Sequence, residues 1–465
     1  MKNYIKEGLP YYKRMLTIAI PIMIQSGVTN FVSMLDNVMV GRVGTLEMTG
    51  VSIVNQLLFV FNLCIFGAMS GAGIFTAQFY GKKDNDGVRS SFQYKLITAL
   101  ILTAAGLLVF ILLGDFLISA YIQKDSSPED ILAVTAFSKS YLKIMLIQTM
   151  PFAVAQAYSS TMRETNDRVV PMISTLIAVG VNLVLNYTLI FGHFDAPALG
   201  IEGAAIATVT ARFVECGILM CAAHINKGKY PYVRHLYTRF NFTRRLIISV
   251  TAVAFPLLLN EALWSGGMAF LNQCYSVRGL DVVAATNIVS TLSNVFNISY
   301  ISFGSATGII LSQTLGAGKK EEARKASTKL LWFSVGVVVL VGLVMTAFAP
   351  LFPRIYNTTD EIKGLATVLI MILAAYMPVH AFTNATYFTL RSGGKTVITF
   401  LFDSGFVWCV SVPVAFCLSR FTDMPIEKLY ALVLSADFIK CALGYYFVKK
   451  GDWLNVIVND KLSDR

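Results

Sequence analysis

The sequence has little charge for its length. Only 14% of its 465 residues are Asp, Glu, Lys or Arg, while 55% are hydrophobic and the mean hydropathy is +0.63. Soluble globular domains carry about 25% charged residues, so this composition excludes that class. Repeated apolar runs of about twenty residues or more predict instead an all-α protein that crosses a membrane many times.

Cysteine and histidine are also scarce, with seven and four residues. The cysteines are scattered through apolar segments without zinc-ligand spacing, which excludes a zinc centre and a disulfide framework. The apolar segments lack an HExxH motif, paired aspartates or the Ser/His arrangement that an intramembrane enzyme needs. We therefore expect a protein that is not an enzyme and carries no cofactor.

The start of the chain lacks the small-residue cleavage site of a signal peptide, so we expect the first helix to serve as the targeting signal. The net charge of +11 is unevenly distributed about the twelve predicted spans. The two terminal segments and the loops on their side of the membrane hold 26 Lys or Arg residues, and the loops on the opposite side hold 7. The positive-inside rule then predicts a multi-pass protein of the plasma (inner) membrane with both termini cytoplasmic. The excess of basic residues therefore reflects membrane topology, and nucleic acid is not an expected partner.

One unit occurs twice in the chain. An offset of 235 residues, with no gap across about sixty positions, relates Pro21 to Pro256 and Gly81 to Gly316. Many secondary transporters are built from such repeats, with the binding site between the halves. Each proline frees a backbone carbonyl in the first helix of its repeat and permits bending there.

The repeat predicts the domain organisation. An N-terminal six-helix lobe covers residues 1–224, and a C-terminal six-helix lobe with a short cytoplasmic tail covers residues 246–465. The segment 225–245 joins them as a basic cytoplasmic linker, which we expect to face lipid headgroups.

The first span, at about 15–38, contains the carboxylate Asp36. A carboxylate inside an apolar helix costs about 2.5–3.5 kcal/mol on insertion scales, which favours a functional role. Gln25, Thr29 and Ser33 form a polar stripe on the same side of this helix. This helix is therefore predicted to face a wet cavity or a polar partner.

The fifth span places Asn182 and Asn186 four residues apart, on one face with Thr175. Two amides at this spacing offer oxygens to a cation or hydrogen bonds to a carboxylate. A structural alternative is an amide contact between helices, worth about 1 kcal/mol.

The second half has two carboxylates of its own within spans. Glu261 lies about midway along the seventh span, and Asp403 lies near the start of the eleventh. Either could pair with a Lys or Arg across the bundle or line a cavity, and both alternatives remain open.

Two local ion pairs are predicted from helical spacing. Arg212 and Glu215 are three residues apart in the sixth span, and Asp437 and Lys440 have the same spacing in the twelfth. Pairs at this spacing lie on one helix face, so we expect neutralised structural pairs.

Four stretches of the sequence, with their echoes in the second half, resemble the multidrug and toxic compound extrusion (MATE) family of bacterial antiporters. They are IAIPIMIQS…MLDNVMVGRVG, AQFYGKKD, NLVLNYTLIFG and LGIEGAAIATVTAR. The resemblance implies twelve transmembrane helices arranged as two pseudo-symmetric six-helix bundles around a central cleft. It also implies a functional monomer that exports cationic or amphipathic compounds in exchange for Na⁺ or H⁺.

The resemblance also assigns residues of the N-terminal half. Asp36 looks like the family's ion-coupling carboxylate, and Asn182 resembles its fifth-helix Asn, so a Na⁺ ion would bind at these two residues. Asn186 stands where some members have Asp, which leaves less negative charge here. Thr208 is a weaker match to a sixth-helix ligand.

The second half departs from the family pattern. Members with a C-terminal ion site have a Glu about eight residues after the seventh-helix proline, where this chain has Trp264. Glu261 lies one turn earlier, and the tenth span has no carboxylate. Glu261 and Asp403 are therefore the candidate carboxylates of this half.

These residues predict exchange by competition: a carboxylate in a low-dielectric cleft requires a proton, Na⁺ or an organic cation. The nearest alternative is a flippase for a lipid-linked oligosaccharide, a relative that should line its cleft with Arg and Lys. A channel should have a selectivity motif instead of proline-broken repeats.

Overall fold

The computed structural model describes residues 2–122, 127–240 and 243–458, and within them the regular structure is entirely helical. Backbone N–H and C=O groups in lipid must be satisfied within their own segment, and the long apolar runs therefore fold as helices. The α-helices are α1 (Lys2–Gly41), α2 (Thr45–Gly81), α3 (Asn85–Tyr121), α4 (Pro128–Met145), α5 (Thr149–Glu164), α6 (Val169–Phe191), α7 (Gly200–Ile225), α8 (Arg244–Ser276), α9 (Leu280–Gly316), α10 (Lys320–Phe348), α11 (Asp360–Ser392), α12 (Thr396–Phe400), α13 (Val412–Phe421), α14 (Ile426–Ser435) and α15 (Asp437–Lys450).

Eleven helical segments in the described residues are long and apolar enough to cross a membrane. The predicted fourth span, at about 133–159, is divided into α4 and α5 by a 3₁₀ turn at Leu146–Gln148. With α4–α5 counted as one segment, the described chain forms the twelve predicted helices.

The eleventh segment, Thr396–Phe421, is not a regular α-helix. Two π-helical turns, Leu401–Gly405 and Val407–Ser411, separate α12 from α13. Such turns are rare and frequently occur at functional sites. Asp403 lies within the first of them.

The chain divides into two compact units. The N-terminal unit comprises Ile24–Thr76 and Asn85–Ile247, and the C-terminal unit comprises Met1–Met23, Ala77–Asp84 and Ile248–Arg465. The lobe boundaries at 224 and 246 remain a prediction.

In the N-terminal unit, α6 packs closely along α7. Gly203 lies so near the backbone carbonyl of Leu189 that a Cβ atom would come within 2.5 Å of that oxygen. This close approach brings the polar face of α6 against α7. The core of the C-terminal unit lies between α9, α10 and α11, where Ile310, Leu330 and Leu369 are fully buried.

Part of the predicted linker folds onto the N-terminal unit. Tyr230, Tyr232 and Leu236 are each only 2% exposed. Gln93 of α3 donates hydrogen bonds to the carbonyls of Leu236 (2.6 Å) and Arg239 (2.8 Å). The expectation that this whole segment faces headgroups is therefore wrong for Tyr230, Tyr232, Val233 and Leu236, whose apolar side chains are buried, whereas Arg234 and His235 are exposed.

Candidate functional site

The side chain of Asp36 lies among the amides of α6. Asn186 donates a hydrogen bond from Nδ2 to Asp36 Oδ1 at 2.6 Å. One end of the Asn182 amide lies 3.2 Å from both carboxylate oxygens, and it donates to them when its nitrogen is placed there. The other end lies 3.3 Å from Thr208 Oγ1. The structure thus brings together the four residues proposed from the sequence.

Helical geometry explains this arrangement. Asn182 and Asn186 are one turn apart on α6 and lie only 3.2 Å from each other. Thr208 reaches them from α7, where its hydroxyl also donates to the carbonyl of Ala204. Asp36 comes from α1, five residues before its last residue, Gly41.

The electrostatics of this cluster favour a cation. Among the described residues Asp36 has no ion-pair partner, and its polar contacts are neutral amides. Asn186 is 1% exposed, yet its Oδ1 accepts no hydrogen bond within the described chain. A buried acceptor without a donor is costly, and a cation bound within this cluster would supply the missing partner.

A second polar network lies on the same unit. Arg163 donates to Gln25 Oε1 (3.3 Å), Gln25 donates to Thr175 Oγ1 (2.8 Å), and Thr175 donates to Glu215 Oε1 (2.7 Å). Arg212 pairs with the other oxygen of Glu215 at 2.9 Å, so the ion pair predicted from helical spacing is confirmed.

The predicted stripe on α1 is therefore only partly engaged. Gln25 joins the network, Thr29 donates to the carbonyl of Gln25 at 2.9 Å, and Ser33 is exposed. The helices α1 and α8 continue through Pro21 and Pro256.

The two candidate carboxylates of the C-terminal unit have different surroundings. Asp403 forms an ion pair with Lys440 (Nζ–Oδ1 2.7 Å) and accepts a hydrogen bond from Asn260 Nδ2 at 3.1 Å. Glu261 has no hydrogen bond or ion pair among the described residues. It interacts electrostatically, without direct contact, with Arg391 and Asp403.

The pair predicted between Asp437 and Lys440 is wrong. Asp437 lies 3.3 Å from Nδ1 of His380, and Lys440 pairs with Asp403 instead. Packing of α15 against α11 and the π-helical segment provides these partners across the bundle, which helical spacing alone does not reveal.

Sequence reasoning missed a buried ion pair in the N-terminal unit. Lys95 of α3 is fully buried and lies 2.5 Å from Glu164 of α5, with Ser160 and Thr161 as further partners at 3.0 and 3.2 Å. The available signal was a lysine inside an apolar span, which demands a counter-ion.

Comparison with known proteins identifies the family. The MatE family model matches residues 21–188 and 256–417, more than half of the chain. The chain is 25% identical to a probable multidrug resistance protein NorM of Thermotoga maritima, over 97% of this chain and 96% of that protein. It is also 25% identical to the multidrug resistance protein PmpM of Pseudomonas aeruginosa, over 87% of this chain and 83% of that one.

Solved structures agree on the fold. An outward-facing multidrug resistance MATE family transporter of the MOP superfamily superposes with a TM-score of 0.86 at 18% identity, covering 96% of both chains. A MATE protein solved in complex with MaL6 gives 0.84 at 16% identity, covering 96% of this chain and 97% of that chain. The chain thus has the MATE fold and belongs to the MatE family of multidrug efflux transporters, which are membrane proteins and not enzymes.

Proposed function

We propose that this protein is a secondary active antiporter that exports cationic or amphipathic compounds in exchange for Na⁺ or H⁺ by alternating access. The observation that carries the proposal is the Asp36 cluster. Among the residues that the structure describes, this carboxylate within a membrane-spanning helix is contacted only by neutral amides, and the neighbouring Oδ1 of Asn186 accepts no hydrogen bond.

Asp36 is the coupling residue in this proposal. Its carboxylate, the amide oxygens of Asn182 and Asn186 and the hydroxyl of Thr208 are all oxygen ligands of the kind that Na⁺ prefers, while a proton would bind the carboxylate directly. Either ion neutralises the charge, and an organic cation competes for the same negative potential. Exchange follows if the protein changes sides only when this charge is neutralised.

Asn182 and Asn186 position the carboxylate. Each amide can donate to Asp36 while keeping an oxygen for a cation. Gln25 lies in the neighbouring network, where Arg163 and Thr175 hold its amide. Pro21 and Pro256 supply the bending points of the two repeated lead helices as the sides alternate.

A lipid-linked oligosaccharide flippase is less well supported. It would need unpaired basic groups within the membrane to hold pyrophosphate. Three basic side chains within the spans are instead neutralised by carboxylates: Lys95 by Glu164, Arg212 by Glu215 and Lys440 by Asp403. These pairs leave Asp36 as a net negative site, which favours cationic cargo.

The remaining expectations follow from the same proposal. The transporter lies in the plasma membrane with cytoplasmic termini, because the Lys and Arg residues concentrate in the loops and terminal segments on that side. It acts as a monomer. Its partners are small organic cations or amphipathic drugs and the surrounding lipid.

Efflux of a fluorescent organic cation from proteoliposomes tests the proposal, with a Na⁺ gradient and a pH gradient imposed separately. Wild type should transport under at least one gradient, and that gradient names the coupling ion. Asp36→Asn should abolish exchange, because the neutral amide leaves no charge for a proton, Na⁺ or an organic cation to compete for.

Asp115→Asn is the matched control, since Asp115 is an exposed carboxylate on α3 with 78% of its side chain accessible. It should transport like wild type. If wild-type protein moves no organic cation under either gradient, the antiporter proposal is wrong, and flipping of a lipid-linked oligosaccharide becomes the activity to assay.

A further inference from the structure

Asp403 is surrounded differently from Asp36, although both are carboxylates within spans. Lys440 Nζ lies 2.7 Å from Oδ1, and Asn260 Nδ2 lies 3.1 Å from Oδ2. Only 10% of the Lys440 side chain and 19% of the Asp403 side chain are exposed. Both carboxylate oxygens therefore already have a donor, and one of these donors is a full positive charge.

The aromatic side chains around Lys440 complete a site for an ammonium group. Its Nζ lies 5.3 Å from the ring centroid of Phe402 and 6.0 Å from that of Phe406. Aromatic faces combined with a carboxylate are the environment in which proteins bind organic cations. Lys440 occupies this environment with its own amine.

The π-helical turns hold Asp403 in this position. Ser404 donates its backbone N–H to Asn260 Oδ1 at 3.2 Å, and its hydroxyl lies 2.7 Å from the backbone carbonyl of Asn260. Asn260 thus binds the widened backbone and the Asp403 carboxylate together. Asn260 of α8 therefore holds Asp403, the acceptor for Lys440, in position through contacts that do not involve α15.

The local partner of Lys440 is engaged elsewhere. Asp437 lies one turn before Lys440 on α15, but its carboxylate pairs with His380 of α11. The other charged or titratable groups near the pair, on α8, α9, α11 and α14, are Glu261, Tyr300, Tyr387, Arg391 and Tyr430.

We propose that Lys440 is a tethered cation that permanently occupies Asp403 in place of an exchangeable ion. The inference rests on the proposed antiport function and specifies it: Asp403 takes up no coupling ion during the cycle, and Lys440 sets the number of ions that the protein binds. Removing the amine should open an additional cation site at Asp403.

Cation binding to purified protein tests this directly and does not require transport. Radiolabelled Na⁺ binding is measured at pH 8, and proton uptake between pH 8 and pH 5 is measured without Na⁺, all in the Asp36→Asn background. Adding Lys440→Gln should increase the number of bound cations, Na⁺ or protons, by about one per protein, because an unpaired buried carboxylate favours neutralisation.

Two companion variants show whether Asp403 binds the additional cation. Lys440→Arg keeps the charge and should produce no gain, while adding Asp403→Asn to Lys440→Gln should abolish it. Lys139→Gln is the matched control, because Lys139 forms an exposed pair with Asp115 at the similar distance of 2.8 Å. The inference is overturned if Lys440→Gln adds no cation, or if Asp403→Asn alone removes one that the parent binds.

A double variant covers the case in which Lys440→Gln does not fold. Asp403→Asn with Lys440→Gln leaves no unpaired charge, and its drug efflux per coupling ion should stay within about twofold of wild type. Loss of coupling in this variant would show that Asp403 exchanges ions. Absence of wild-type transport contradicts the antiporter proposal, whereas the binding measurements still decide the role of Lys440.

Discussion

Gly81, the last residue of α2, lies directly against the backbone carbonyl of Gln313 on α9. Gly316 lies in the same way against the carbonyl of Gln78, so the contact is reciprocal. The 235-residue offset relates Gly81 to Gly316 and Gln78 to Gln313, and equivalent positions of the two repeats therefore meet each other. The Gln78 side chain adds hydrogen bonds to the backbone of Ser392 (3.0 Å) and Ile457 (2.9 Å).

This contact leaves no room for a side chain. Gly81→Ala should lower the free energy of unfolding by about 1–3 kcal/mol, as overpacking against backbone does. Thermal unfolding in detergent measures the change. Gly217→Ala is the control, because nothing lies within 4 Å of a Cβ there, and it should stabilise α7 by about 0.5–1 kcal/mol. Equal stability of the two variants would contradict the close contact.

The buried pair of Lys95 and Glu164 gives a second prediction. Lys95→Met should destabilise the protein by about 3–5 kcal/mol, because it leaves a buried carboxylate without its counter-ion. Adding Glu164→Leu should restore much of that loss. The exposed pair of Lys139 and Asp115 is the control, and Lys139→Met should cost about 0–1 kcal/mol by the same unfolding measurement.

Asn186 provides a test of the coupling site itself. Asn186→Leu removes both the donor to Asp36 and the unpartnered oxygen that would ligate a metal ion, so Na⁺ should bind about tenfold more weakly, or about 1.4 kcal/mol. The ion concentration that half-saturates drug efflux measures this affinity. Asn226→Leu, at the exposed residue that follows α7, should leave this affinity unchanged. An unaltered affinity in Asn186→Leu would exclude this residue from the site.

Asp167 predicts a dependence of stability on pH. Burial alone would raise its pKa, but hydrogen bonds from Lys229, Tyr230 and the backbone of Val170 outweigh burial and hold the pKa below its ordinary value. A lowered folded-state pKa contributes stability above the unfolded pKa, and this contribution disappears as the pH falls through the folded value.

Wild type should therefore lose stability as the pH falls below about 4, the ordinary pKa of Asp. Asp167→Asn should be less stable at neutral pH, by about 1.5–3 kcal/mol for a hydrogen bond to a charged group. It should also lose less on acidification than wild type. Parallel pH profiles of the two proteins, measured by thermal unfolding, would contradict this role of Asp167.

Local periodicity accounts for part of the prediction of the Asp36 cluster, while the resemblance to the MATE family supplied Thr208 and the association of Asp36 with Asn182. The spacing of Asn182 and Asn186 determines which face of α6 they share, and an intramembrane carboxylate needs polar neighbours. Arg212 and Glu215 form their ion pair within one helical turn, so this pair could also be predicted from their spacing in the sequence.

Contacts between distant helices could not be predicted in this way. Lys440 pairs with a residue 37 positions away and Lys95 with one 69 positions away. These partners depend on which helix faces pack together, and periodicity in a single sequence leaves that undetermined. The tyrosines at 230–232 were missed because surrounding basic residues gave the segment the composition of an exposed linker.

The π-helical turns affect how relatives are compared with this chain. Each π turn holds about one residue more than an α turn, so it acts as a one-residue insertion inside a helix. A relative with a regular helix here would have its residues rotated by about 100° for each missing position. An alignment that runs through 401–411 without a gap would then match Asp403 to a residue on another face. Searches for an equivalent of this carboxylate should therefore inspect the neighbouring positions as well.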